Sequence, residues 1–333
     1  MASAAKDFDR EELLDCVLVH RAERIREFLA QVSLPRSGTK DILRERLAEF
    51  LETDSERAVQ LVEFLNEIEG WGNQHLYLYK SSAALCSRWR SEAHVTSVLK
   101  RNRTLGLLNQ PRPVVLPEKR TVSEIRWSPA RLRIIWNERR EWFVRDEEAD
   151  KEADDGETVF RAWKRNIARA TLAFDWDLAT GDAMIMIQRL PSGTNYPEIR
   201  DELLEALTPF VAVRDFDITR VSVAIQPLQL NRAEVRERRI NWETVRGGKA
   251  SFTSAGKRYA VNADETLRRM ADAGKNDVQG SLGNFYWLAG KGRTLKEEAH
   301  TILHRKDQRV ALAGEKRESE VRHVVGRIRA HCN

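Results

Sequence analysis

The chain has 333 residues, 32% of them Asp, Glu, Lys or Arg, and a formal charge of +5. That length accommodates two domains with separate cores, and the basic balance points to an anionic partner that the distribution of charge must locate. Three cysteines, Cys16, Cys86 and Cys332, are too scattered for a disulfide framework or a zinc-ligand pattern, and no stretch approaches eighteen apolar residues. A soluble protein of the cytoplasm, nucleoid or nucleus is expected, with no membrane partner.

Asp9 and Glu12 are spaced as a helix cap, and Leu13, Leu14, Val17 and Leu18 follow at helical spacing, predicting a helix over 8–20. Ile25, Phe28, Leu29 and Val32 form a second stripe that stops at Leu34-Pro35, since proline disfavours helix in the residue before it. Ile42, Leu43, Leu47, Phe50 and Leu51 predict a third helix closing near Glu52. Asp54 or Ser55 can cap a fourth, running through Ala58, Val59, Val62, Leu65 and Ile68 to Gly70. Residues 1–70 therefore read as all-helical.

The segment SLPRSGTKDILRERL, Ser33 to Leu47, sits between the second and third helices. Its order of amphipathic helix, Leu-Pro step, Ser-Gly turn with lysine, and second amphipathic helix resembles the SAP family of small DNA-binding modules over about residues 24–50. The apolar positions fall on Ile25, Phe28, Leu29, Leu43 and Leu47, and the turn on Ser37, Gly38, Thr39 and Lys40. Ser33 departs from the pattern, because many members carry glycine before the Leu-Pro step, where left-handed backbone is easiest. The resemblance implies phosphate contacts at the helix start from Arg36, Ser37, Gly38, Thr39, Lys40 and Arg44. Backbone amides and the helix dipole favour an anion there, and such contacts position duplex DNA without reading its bases.

At WGNQHLYLYK the periodicity changes to two, and a second domain begins at about residue 71. Residues 71–145 contain an expected helix from Ser91 to Arg101, a proline-rich loop QPRPVVLP, and an expected hairpin through LRIIWNERREWFV. Between Leu85 and Arg145, fourteen Lys or Arg stand against five Glu. Arg88, Arg90, Lys100, Arg101 and Arg103 head this second candidate DNA surface, with Trp89, Trp127 and Trp163 interleaved among cations as stacking candidates. Residues 146–157 hold eight acidic residues against Lys151 and read as a solvated loop.

Residues 158–333 read as α+β built from hairpin-helix units. LAFDWDLATGDAMIMIQRL precedes YPEIRDELLEALTPF, KASFTSAGKRYAV precedes DETLRRMADAG, and TILHRKDQRVALAG precedes SEVRHVVGRIRAH. ITRVSVAIQPL alternates as a half-buried strand. GKGRT, with Thr294 and Glu297 spaced as a capping box, predicts a helix start, placing His300 and His304 one turn apart on that helix. Asp175, Asp177 and Asp182 form a weak metal-site candidate around a hairpin, and turn aspartates explain them more simply.

The expected architecture is thus α+β, a small N-terminal helical SAP-like module followed by a larger mixed domain. The expected function is non-catalytic binding of DNA, duplex in preference, with no cofactor, metal or catalytic motif. Two alternatives remain: a nuclease or nucleic-acid-processing subunit with a cryptic carboxylate site, and an adaptor that meets a protein partner or a second copy of itself.

Overall fold

A computed structural model describes residues 9–332 apart from 54, 111–115, 153–156, 190–193, 255, 257–258, 274–277 and 291–293. The fold is α+β. Four helices, α1 (Arg10–Leu18), α2 (Ala22–Gln31), α3 (Lys40–Thr53) and α4 (Ser55–Trp71), form the N-terminal region. Helices this short depend on tertiary packing more than on propensity. Their apolar stripes meet in one core that includes Leu13, Val17, Ile25, Phe28, Leu29, Leu43, Leu47 and Leu65. Asp9 caps α1 by accepting from the Glu11 amide at 2.9 Å. Asp54, the other capping candidate, lies outside the described residues.

The end of α2 is built without the glycine its geometry favours. Ser33 takes φ +59°, the Leu34 amide donates to the Leu29 carbonyl at 2.7 Å, and the Ser33 amide donates to Ala30 at 3.3 Å. This pair of bonds is a Schellman closure, in which Leu34 also packs back on the helical core. The chain therefore leaves α2 at a fixed angle, directing Pro35–Thr39 outward.

The larger region is organised by one continuous antiparallel sheet. Its strands are β1 (Gln74–Lys80), β2 (Thr121–Ser128), β3 (Arg131–Arg145), β4 (Trp163–Asp177), β5 (Asp182–Gln188), β6 (Val235–Thr244), β7 (Lys249–Thr253), β8 (Val278–Trp287), β9 (Ala299–His304) and β10 (Arg309–Ala313). Their spatial order is β7-β6-β8-β9-β10-β1-β5-β4-β3-β2, with the two-residue strand Asp217–Ile218 also paired to β1. Central β1 is buried on both faces: Tyr77 and Tyr79 join one core, Leu76 and Leu78 the other.

Two of the three expected hairpin-helix units are present, β4-β5 before the helix Tyr196–Leu207 and β9-β10 before the helix Glu318–Ala330, and each closes one of two halves. The first half runs β1, α5 (Ala83–Trp89), α6 (Glu92–Arg101), the meander β2-β3-β4-β5, then α7 (Tyr196–Leu207). The second runs Asp217–Ile218, α8 (Ser222–Leu230), the meander β6-β8-β9-β10, then α10 (Glu318–Ala330). Between β6 and β8 are inserted β7 and α9 (Glu265–Ala273).

The halves are covered differently. α5, α6 and α7 pack on the Tyr77 face of the first half. α8 and α10 pack on the opposite, Leu76 face of the second. α4 also lies against β4 and β5, on the face where β4 presents Arg169, Thr171 and Asp175. Among the described residues the first half is thus covered on both sides, the second on one.

Several local expectations fail for identifiable reasons. ITRVSVAIQPL holds α8 in place of the expected strand, its first residue Ile218 alone lying in the short strand beside β1: from the N-cap of α8 onward, Val221, Ala224, Ile225 and Leu228 are buried at helical spacing while Val223 is exposed. LRIIWNERREWFV is no hairpin but part of the fifteen-residue β3, which pairs with β4 along its length and with β2 over Arg131–Asn137. Thr294 opens no helix. His300 and His304 lie on β9, whose alternating burial seats Ala299, Thr301 and Leu303 in the core. Lys249–Thr253 pairs backward with β6 rather than forward, and Ala255 and Lys257 of the expected turn lie outside the described residues, as does most of QPRPVVLP. The described part of the acidic segment has a turn at Glu147–Ala149, the pair Lys151–Glu152 bonded to Val159–Phe160, and Arg145 holding Asp150, and residues 153–156 lie outside the described residues.

Candidate nucleic-acid interface

The turn between α2 and α3 stands at the surface, with Arg36, Ser37, Gly38, Thr39 and Lys40 all exposed. Gly38 has φ +126°, and a Cβ there would lie 2.8 Å from the Ile42 side chain, so both backbone and space require glycine. The Gly38 carbonyl accepts from Arg26 at 3.1 Å, and the Pro35 carbonyl accepts from Arg46 at 2.9 Å. These bonds engage the carbonyls of the turn, and among the described residues no side chain accepts from the first amides of α3.

The cations of this turn are not equivalent. Arg36 forms no ion pair among the described residues. Lys40 donates to the Leu18 carbonyl at 2.9 Å, and Arg44 pairs with Glu11 and, at 3.2 Å, with Asp15. Exposed ion pairs of this kind are worth at most about 1 kcal/mol, so a phosphate can displace the carboxylates from Arg44 at small cost.

The basic middle region does not form the broad surface expected of it. Arg120, Arg126, Arg131, Arg133, Arg139, Arg140 and Arg145 are all ion-paired, several to carboxylates far away in sequence. Trp89 is a core residue at 2% exposure, and the half-buried Trp127 donates its Nε1 to the Trp89 carbonyl at 2.9 Å. Trp163 alone of the three is exposed, with Arg145 over its ring at 5.9 Å.

Among the described residues of this region, Lys119 and the five cations on and just after α5 and α6 remain exposed. Arg88, Arg90, Lys100, Arg101 and Arg103 make no ion pair among the described residues, and Arg90 donates to the Leu178 carbonyl at 2.6 Å. Their field reaches His94: burial, then Arg88 and Arg101, lower its pKa. The short helix α6 positions this group through its Ser91 cap and its buried Val95, Val98 and Leu99.

The carboxylates considered for metal binding are occupied otherwise. Asp175 is 1% exposed and meets Arg133 at 3.1 Å, Arg322 at 2.8 Å, and Arg131. Burial raises its pKa, but the three guanidiniums outweigh burial and hold the carboxyl below its usual range. All three guanidiniums also lie over Trp71, Arg133 closest at 4.0 Å. Asp177 accepts from the Ala179 and Thr180 amides as a turn residue, and Asp182 pairs with Lys80 at 2.9 Å. No group of three metal-ligating side chains occurs among the described residues.

A second buried network fastens the helical region to the sheet. Glu69 of α4 binds Arg169 at 2.9 Å and Thr171 at 2.8 Å, and His20 lies 3.5 Å from Glu69 and 3.2 Å from Glu315. Burial opposes protonation of His20, but the hydrogen bonds to Glu315 and Glu69 win and raise its pKa to about 9.

One cluster has no counterpart in the sequence reading. Arg200 of α7, Arg239 of β6, Lys249 of β7 and Arg305, Lys306 and Arg309 around the β9–β10 turn line a groove of about 900 Å³ on the uncovered face of the second half. The alternation of β6 and β9 signals such a face, but only the fold assembles these elements. No helix among the described residues is long and apolar enough to cross a membrane. No protein-family model matches this chain, and no curated protein matches it.

Proposed function

We propose that the chain is a non-catalytic DNA-binding protein that holds duplex DNA through its phosphate backbone. The observation that carries this reading is the exposed Arg36–Lys40 turn, whose left-handed Gly38 and uncapped α3 amides give a phosphate a close approach beside Arg36, Lys40 and Arg44. The SAP-like order of its residues supports the same reading. Arg88, Arg90, Lys100, Arg101 and Arg103 serve as the second contact, and two weak contacts on one duplex raise avidity through effective concentration.

Such binding is salt-sensitive and largely independent of sequence. Fluorescence anisotropy of a labelled 20-base-pair duplex tests it. Arg36→Glu with Lys40→Glu should weaken binding about tenfold and flatten the salt dependence by roughly one unit of slope per lost contact. Unchanged affinity with helicity intact refutes the assignment of the turn.

A further inference from the structure

We propose that the uncovered sheet face of the second half is a binding site for single-stranded nucleic acid, separate from the duplex contacts of the turn and of α5–α6. Three independent features of that face support it.

The first is partial exposure of a face that, among the described residues, no helix covers. Where they touch β6, β8, β9 and β10, α8 and α10 pack on the face of Phe285, Trp287, Leu303 and Val310. The outer insertion of α9 centres on Ile240, Trp242 and Val261. On the reverse face, strand pairing aligns Asn241 with Leu282 and His304, and Asn284 with Ile302, and all five are only partly buried.

The second is charge. The groove across this face carries six cations against two carboxylates, Glu243 and Asp307. Arg309 is paired with Asp307 at 3.0 Å, and Lys249 stands opposite Glu243 in the strand register. Arg305 and Lys306 form no ion pair among the described residues, and Arg239 bonds only the neutral Asn241 and Ser251. A polyanion threading the groove would meet these three.

The third is an aromatic shelf at the same face. Tyr286 and His300, paired across β8 and β9, stack with ring centroids 4.4 Å apart and planes 11° from parallel, and Arg236 lies over Tyr286 at 4.7 Å. Burial and then Arg238 lower the pKa of His300, which keeps the imidazole neutral and flat against the tyrosine. His300 on one side and Arg236 on the other cover both faces of the Tyr286 ring, so unstacked bases would stack on the two ends of this row, the guanidinium and the imidazole, while the groove cations follow the backbone. A duplex, with its bases already stacked, cannot use that shelf, which favours a single strand.

The test measures anisotropy of the full chain with labelled oligo-dT of 20 nucleotides and, separately, with the 20-base-pair duplex. Arg239→Glu with Lys306→Glu should weaken oligo-dT binding at least tenfold and change duplex binding less than twofold. Tyr286→Ala should weaken oligo-dT binding about fivefold or more, and Tyr286→Phe should restore most of it, which controls for a folding defect. Equal oligo-dT affinity in wild type and the double variant, or no oligo-dT binding by wild type, overturns the proposal. A poly-glutamate peptide that binds as tightly as oligo-dT, with Tyr286→Ala without effect on either, also overturns it and assigns the groove to an acidic protein segment. Failure of the turn variants to affect duplex binding leaves this site standing, so the two readings fail separately.

Discussion

The two halves of the sheet repeat one another in order of elements and differ in what they do with arginine. In the first half, Arg131, Arg133 and Arg169 point under α4 and are held by Asp175 and Glu69, both nearly inaccessible to water. In the second half, Arg239, Arg305 and Lys306 stand on a face that no described helix covers. Sheet cations are thus buried in ion pairs under α4 in the first half and left at the surface in the second. Cover, and not local charge excess, decides which.

The largest effect is expected where cover is complete. Asp175→Ala leaves Arg133 buried at 2% exposure without its carboxylate partner, while Glu318 still holds Arg131 and Arg322 beside it. Removing one partner of a buried ion pair costs roughly 3–5 kcal/mol, so chemical denaturation should show a loss of that size. The corresponding charge removal in the open half, Lys306→Ala, should alter stability by no more than about 0.5 kcal/mol. A small loss for Asp175→Ala would erase the contrast between the halves.

The next effect is pH-dependent. His20, with an ordinary pKa of 6.5 when unfolded and about 9 when folded, binds its proton more tightly in the folded state. Its contribution, of order 3 kcal/mol, is therefore complete below pH 6.5 and lost as pH rises through about 9. Denaturation midpoints measured from pH 6 to pH 9.5 should fall in the wild type and remain flatter in His20→Gln.

Smaller effects come from the turn itself. Gly38→Ala places a Cβ against Ile42 at φ +126° and should destabilise by about 1–3 kcal/mol, and it should also weaken duplex binding. Ser33→Gly relieves a left-handed serine and should raise stability by at most about 1 kcal/mol without affecting binding. Thermal melts of the two variants separate a position that shapes the site from one that only ends a helix.

The helical region was legible in the sequence because its signals are local. Ile25, Phe28 and Leu29 lie within one turn of one another, and Leu34-Pro35 ends the helix they define. The basic middle region was misread because its partners are distant: Arg131 meets Asp175 and Glu318, and Arg120 meets Glu202. A count of charge along the chain cannot include acids that only folding delivers. Arg88, Arg90, Lys100, Arg101 and Arg103 escape that pairing because α5 and α6 lie at the outside of their half. The groove of the second half stayed hidden because α7 and five strands contribute to it, and because His300 and His304 fit a helical spacing as well as one strand face.

The central claim is that this chain holds nucleic acid by phosphate contacts. Anisotropy of the labelled 20-base-pair duplex, titrated with the full chain at salt concentrations from 50 to 200 mM, tests it most directly. The account predicts binding at the low end that weakens linearly in the logarithm of salt, and a smaller slope for Arg36→Glu with Lys40→Glu. Absence of binding at 50 mM, or binding that salt and this double variant leave unchanged, would contradict it.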